Sequence, residues 1–235
     1  MKEDPNLYDV NPLQFINPTT PEVAYILGLL WADGYIGKNN AVNIQAVRTD
    51  LDLLYKHFLT TGNWKIYYRT PKNRKEQATI HKGNMMLANF LKENDYTIKS
   101  DKSACKILSI IPENLKHYWF RGVVDGDGCF YIRNKKSYQF SLASSYQQDW
   151  TYFEDLLKSL NIKYNIQRRI QIRKNLPSTQ SSVIRISNKN TIKILGEYIY
   201  QNYEIDKIGL HRKYEKFLQI KANCDDQPIY KPFSS

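Results

Sequence analysis

Ile26-Leu27-Gly28-Leu29-Leu30-Trp31-Ala32-Asp33-Gly34-Tyr35-Ile36 is echoed later in the chain by Phe120-Arg121-Gly122-Val123-Val124-Asp125-Gly126-Asp127-Gly128-Cys129-Phe130. Aligned, Gly28 falls on Gly122, Ala32 on Gly126, Asp33 on Asp127 and Gly34 on Gly128. Each stretch reads as an apolar helix with small residues four apart, an Asp in its last turn and a Gly just past it. Residues four apart share a helix face, and small ones there let two backbones approach closely. Gly34 and Gly128 are expected in the left-handed conformation that commonly ends a helix. The pattern predicts two helices packed face to face, with one carboxylate at the foot of each.

Asp33 and Asp127 would then be neighbouring like charges, which disfavours ionising both. Each also sits at a helix C-terminus, which already carries about half a negative charge. Nothing inside the two stretches offsets this. A hard divalent cation would, and Mg2+ keeps several waters and is held by one or two carboxylates plus substrate phosphates. The plainer alternative is an internal duplication whose aspartates only punctuate helix ends. Two copies matched over their whole length weigh against it.

Both stretches resemble the LAGLIDADG motif of homing endonucleases, and two copies in one chain resemble the monomeric, pseudo-twofold members of that family. The first copy departs at Trp31, where the motif usually has an Asp; that position is not the metal-binding one. The resemblance implies an α+β fold of two αββαββα halves with saddle-shaped antiparallel sheets, packed through the motif helices. It implies that Asp33 and Asp127 hold metal, helped by the backbone carbonyls of Ala32 and Gly126. The organisation expected is an extended N-terminal arm (1–19), a first half (20–110), a second half (111–221) and a loose tail (222–235).

The 235 residues are enough for one large domain or two small halves with real cores, and the net charge of +11 points to a polyanionic partner. Three cysteines (Cys105, Cys129, Cys224) are too few and scattered for a disulfide framework, and the four histidines show no ligand spacing. The longest apolar run, residues 23–32, is too short to span a bilayer, and the polar N-terminus is no signal peptide. No membrane partner is expected. The expected location is intracellular: bacterial or phage-infected cytoplasm, or an organelle.

Outside the motifs the period changes from helical to two. In the first half this puts Asn43 and Gln45 on one polar strand face, then Lys65, Tyr67 and Arg69, then Gln77, Thr79 and His81. In the second half Tyr131, Arg133, Gln139 and Ser141 fall on the polar faces of a hairpin with a polar turn at 134–137. A strand over 163–173 alternates almost cleanly. Lys163, Asn165, Gln167, Arg169, Gln171 and Arg173 face one way, without an acid among them, and Tyr164, Ile166, Arg168, Ile170 and Ile172 face the other. Arg185 lies on the polar side of the strand returning beside it. Arg matches guanine and Gln or Asn matches adenine in the major groove, which admits a two-stranded ribbon. Eleven residues at roughly 3.3 Å span roughly 36 Å, so two such faces would cover about twenty base pairs of double-stranded DNA.

The resemblance agrees, and implies a lysine near the active site in each half. Local pattern puts these at Lys102 and Lys213, with Lys99 and Arg212 read as neighbouring surface charge; Gln45 matches a water-positioning glutamine of some members. The function expected is a monomeric, site-specific endonuclease that cuts both strands by Mg2+-dependent hydrolysis, mobilising an intron or free-standing gene. Mn2+ is expected to substitute, and Ca2+ to support binding only. Two alternatives share the scaffold: a maturase that binds intron RNA, and a DNA-binding regulator without cleavage.

Overall fold

The computed structural model describes residues 10–72, 75–134, 137–173 and 176–225, with the side chains of Arg173, Leu176, Pro177 and Asp225 outside that description. Helix α1 (Leu13–Ile16) precedes the first motif helix α2 (Pro21–Asp33). Thr20 caps α2, its Oγ accepting from the Val23 amide at 3.4 Å, and Pro21 occupies the first turn. Strands β1 (Gly34–Ile36) and β2 (Ala41–Val47), helix α3 (Arg48–Leu59), strands β3 (Lys65–Arg69) and β4 (Gln77–Gly83) and helix α4 (Met85–Glu93) complete the first half. A connector carries α5 (Cys105–Ile110) and a single 3-10 turn into the second motif helix, α6 (Lys116–Asp127).

The second half repeats the order: β5 (Gly128–Arg133), β6 (Ser137–Ser144), α7 (Thr151–Ser159), β7 (Asn165–Arg173), β8 (Leu176–Ile186) and α8 (Lys189–Ile199). It adds a short α9 (Tyr203–Asp206) and a long α10 (His211–Asp225). Each half is a four-stranded antiparallel sheet, in the orders β1-β2-β4-β3 and β5-β6-β8-β7. The α+β architecture of two repeated halves is therefore the one the sequence predicts.

Both motif helices are buried all round, from Val23 to Trp31 and from His117 to Asp125; α2 is apolar there, whereas α6 buries His117, Arg121 and Asp125 among its apolar side chains. Their glycines set the spacing. A Cβ at Gly28 would run into the carbonyl oxygen of Trp119, and one at Gly122 into that of Tyr25. Around this contact the core is continuous between halves: Trp31 meets Tyr96 edge-on at 5.1 Å and lies 6.2 Å from both Trp119 and Tyr152.

Several expectations are corrected. Gly34 and Gly128 are extended, at φ −75° and −82°, because each begins a strand directly from its helix. Glycine is needed there for space: an added Cβ would lie 2.5 Å from the Leu30 carbonyl oxygen or 2.6 Å from that of Val124. The N-terminal segment is not an extended arm where it is described. Phe15 is fully buried against Trp64, and the Gln14 amide donates to the Thr61 carbonyl at 2.7 Å. The final helix runs through Asp225, past the expected start of the tail. The even face of β7 is not all core: Ile170 and Ile172 are 55% and 87% exposed. The pairing explains this, since β6 leaves β8 at Ser182 and the rest of β7–β8 is a two-stranded ribbon.

Candidate active site at the foot of the paired helices

Because α2 and α6 pack through their glycines, their last turns end side by side. A Cβ at Gly126 would lie 3.1 Å from an Asp33 carboxylate oxygen. Asp33 is half-buried and Asp127 opens to solvent at the rim. Loss of surrounding water raises both carboxyl groups above their ordinary range, and the Asp33 charge adds to this at Asp127, which reaches about 6.

The compensation missing from the motifs comes from two lysines outside them. Lys99 Nζ donates to the carbonyls of Leu30, Ala32 and Gly34 at 3.1, 2.8 and 2.7 Å. Lys213 Nζ donates to those of Val124, Asp125 and Gly128 at 2.8, 2.5 and 2.8 Å, with Gly126 at 3.4 Å. Each ammonium thus sits on the orphan carbonyls at a motif helix C-terminus, where the dipole favours a cation. Burial lowers both lysines, Lys99 to about 8, against the pull of the two aspartates.

Lys102 does not take this place. It is exposed in the connector, and the amine over the first helix belongs to Lys99, three residues earlier. The halves connect their lysines differently, through a short loop after α4 but through α9 after α8, so spacing from the preceding helix misleads. One signal was available. Tyr96 and Leu210, each three residues ahead of the lysine that sits on a motif-helix end, are buried apolar anchors, whereas Lys102 has Lys99 in that place.

The sheets hang their polar faces on either side of this foot. In the first half the cross-strand rows are Tyr35, Asn43, His81 and Lys65; then Gln45, Thr79 and Tyr67; then Val47, Gln77 and Arg69. Asn43 lies on this face but is covered, its amide turned to the Ala41 carbonyl at 2.7 Å, so it is no open contact. In the second half Tyr131 pairs with Gln139, and Ser141 with Arg185 and then Asn165. Arg169 pairs with Ser181 and Gln171 with Thr179, while Arg133 sits at the end of its row opposite Ser137. Gln167 Oε1 accepts from both Arg169, at 2.6 Å, and Arg185, which holds all three side chains in one orientation. Lys163 precedes the ladder instead of sitting in it. The side chain of Arg173, and Lys135 and Lys136 in the hairpin turn, lie outside the described residues.

Two residues assigned no role at the site from sequence, Asp125 and Arg212 (the latter read as surface charge), tie the halves together there. Asp125, the motif position occupied by Trp31 in the first copy, is buried and accepts from the Tyr25 hydroxyl and the Leu210 amide, both at 2.8 Å. Arg212 forms a two-pronged ion pair with Asp50 of the other half, at 2.8 and 2.5 Å. Arg and carboxylate geometries match in this way.

Among the described residues no group of three or more His, Cys, Asp or Glu could enclose a metal. What the site offers is two carboxylates with the Ala32 and Gly126 carbonyls beside them, all oxygen and well short of a full shell. That donor set fits Mg2+ or Mn2+ completed by water and a phosphate; it has none of the His or Cys ligands on which zinc sites are commonly built, and too few oxygens for a self-contained Ca2+ cage.

Residues 114–200 match the family model of the LAGLIDADG-like domain. No curated protein matches the chain by sequence. Among solved structures, the LAGLIDADG meganuclease I-CpaMI bound to uncleaved DNA is similar at a TM-score of 0.52 and 14% identity, over 88% of this chain and 91% of that one. The LAGLIDADG homing endonuclease I-GzeII in complex with its DNA target is similar at 0.50 and 13%, over 86% and 89%. At such identities the likeness is one of fold. The second half thus carries a LAGLIDADG-like domain, and the chain as a whole, with its two motif helices and two sheets, has the fold of the LAGLIDADG structures it is similar to.

Proposed function

We propose that the protein is a monomeric, site-specific endonuclease that cuts both strands of a long double-stranded DNA site by metal-dependent phosphodiester hydrolysis. The observation that carries this reading is the paired foot of the motif helices, where Asp33 and Asp127 stand together with one lysine behind each. Paired acids of raised pKa beside buried lysines are costly in a merely structural role and suit a phosphate centre. Asp33 and Asp127, with the Ala32 and Gly126 carbonyls, would hold Mg2+ or Mn2+, which would supply charge neutralisation at phosphate and acidify a bound water. Lys99 and Lys213 aim positive charge at the same place, where it stabilises charge developing on a phosphoryl group; a lysine near pH 8 can also move a proton.

The sheet faces would bind the DNA on either side. The open polar positions are Gln45, Lys65, Tyr67, Arg69, Gln77, Thr79 and His81 in one half, and Tyr131, Arg133, Gln139, Ser141, Asn165, Gln167, Arg169, Gln171 and Arg185 in the other. None is acidic, which suits a polyanion and a net charge of +11. Intron or free-standing gene mobility is the biological role such cutting would serve.

A randomised DNA duplex library incubated with the protein and Mg2+ tests the reading. Double-strand ends are expected at one recovered motif of about twenty base pairs, the span of two strand faces, with none in EDTA. No cut product with either Mg2+ or Mn2+ would remove nuclease activity from the protein.

A further inference from the structure

The two lysines at the foot are held from both halves, and the contacts that cross between halves come from matched positions. Gly34 pairs with Ile44 and Gly128 with Leu142, so the residues equally far beyond them, Asp50 and Gln148, are equivalent in the two halves. Each reaches across to the segment that carries the other half's lysine.

Ahead of each lysine the segment is tied to its own half. The Tyr96 hydroxyl donates to the Leu27 carbonyl at 2.9 Å, and the Leu210 amide donates to Asp125 at 2.8 Å. Beside the lysine the ties change sides. Asp50, in the first half, takes both prongs of Arg212, the residue before Lys213. Buried Gln148, in the second half, donates to the Lys102 carbonyl at 2.9 Å, and its own carbonyl accepts from the Ser144 hydroxyl at 2.7 Å. The Ser145 hydroxyl donates to the Ser100 carbonyl at 2.6 Å, and Ser103 Oγ accepts from the Tyr152 amide at 3.1 Å. The second half therefore stitches down residues 100–103, directly after Lys99. Such holding matters because a displacement of about 1 Å takes an ammonium out of hydrogen-bond range of its carbonyls, and a lysine side chain has rotamer freedom to spare.

We propose that Asp50 and Gln148 are positioning residues that act crosswise, a role whose catalytic consequence rests on the nuclease reading. Asp50 holds Lys213 over the end of the second motif helix, through Arg212. Gln148 holds Lys99 over the end of the first, through the connector backbone. Neither lysine is fully set until the two halves are docked.

The first readout needs no cleavage: trace acetylation of the metal-free, DNA-free protein by acetic anhydride, with the labelling rate of each lysine followed by mass spectrometry. Asp50→Ala is expected to speed acetylation of Lys213 by about tenfold and leave Lys99 as in wild type, because a charged pair is lost. Gln148→Ala is expected to speed Lys99 by about threefold and leave Lys213 as in wild type, because the lost bond is neutral. Asp50→Glu is expected to restore slow labelling of Lys213. The second readout is single-turnover cleavage of a selected target in Mg2+, with affinity measured in Ca2+; both alanine variants are expected to cut more slowly by similar factors at unchanged affinity. Faster labelling of both lysines in either variant would mark a general loosening and overturn the inference, as would unchanged labelling of the lysine across the interface. Crosswise labelling with wild-type cutting rates in both variants would overturn the positioning role and leave the nuclease reading standing. A wild type that cuts nothing would overturn the nuclease reading, while the labelling pattern still decides whether the lysines are held crosswise.

Discussion

At the scale of single residues, the site is two carboxylates whose charges are unwelcome where the helices put them and two lysines that make the arrangement tolerable. Lys99→Met removes an ammonium from three carbonyls and from the pair of acids; cleavage is expected to fall on the order of 10²-fold or more, whereas Lys102→Met is expected to cut as wild type does. Timed cleavage of one target by the two variants checks this, and the reverse pattern would restore the earlier register. The same charges set a pH effect on the metal-free protein. The Asp127 carboxyl has a folded pKa of about 6 against an ordinary 3.8, so its ionised form opposes folding above pH 6. The full shift would amount to roughly 3 kcal/mol, but the open face of Asp127 is screened by water, and a gain of about 1 kcal/mol is expected for Asp127→Asn at pH 8. The gain should fade as pH drops through 6 towards 3.8, as read by urea unfolding in EDTA. Asp33 and Asp127 were legible in the sequence because they recur in matched motifs. Lys99 was not, because three residues of connector look alike until Tyr96 is seen to be buried.

At the scale of elements, the small residues of the motifs predict the helix pair correctly, since only a missing side chain lets backbones meet this closely. The role given to Gly34 and Gly128 was misread because helix-stop chemistry and close packing call for the same residue. Gly28→Ala forces a methyl group into the backbone of α6, with no flexible side chain to give way, and is expected to cost at least about 3 kcal/mol, measured as a lowered urea midpoint. Wild-type stability in that variant would mean that the helices do not pack through this face. Strand alternation was equally readable for β3, β4 and the inner part of β7. It could not reveal that β6 stops at Ser144, which leaves Ile170 and Ile172 uncovered. On the ribbon, Arg169→Ala removes a charge and one of the two donors to the Gln167 carbonyl, leaving Arg185, and is expected to weaken binding by about 1–3 kcal/mol if it reads a base. Loss spread evenly over all sequences, with a salt slope smaller by about one, would mark a phosphate contact instead.

At the scale of the whole molecule, duplication joins two sheets and two acids about one axis, and the inter-half contacts decide how faithfully the copies match. Tyr25 reaching Asp125 and Arg212 reaching Asp50 are pairings over more than ninety residues of chain, beyond what periodicity can show. The buried N-terminal Phe15 was hidden for the same reason: its partner Trp64 lies in the next supersecondary unit. If the paired foot is a nuclease centre, binding and cutting should separate cleanly, because the open sheet faces hold the duplex and the aspartates do not. The most direct measurement is cleavage by Asp33→Asn and Asp127→Asn on a selected target in Mg2+, with affinity for the same duplex measured in Ca2+. Double-strand cutting is expected to disappear in both variants while affinity stays within about threefold of wild type; full cutting by either variant would contradict a nuclease centre built on these two carboxylates.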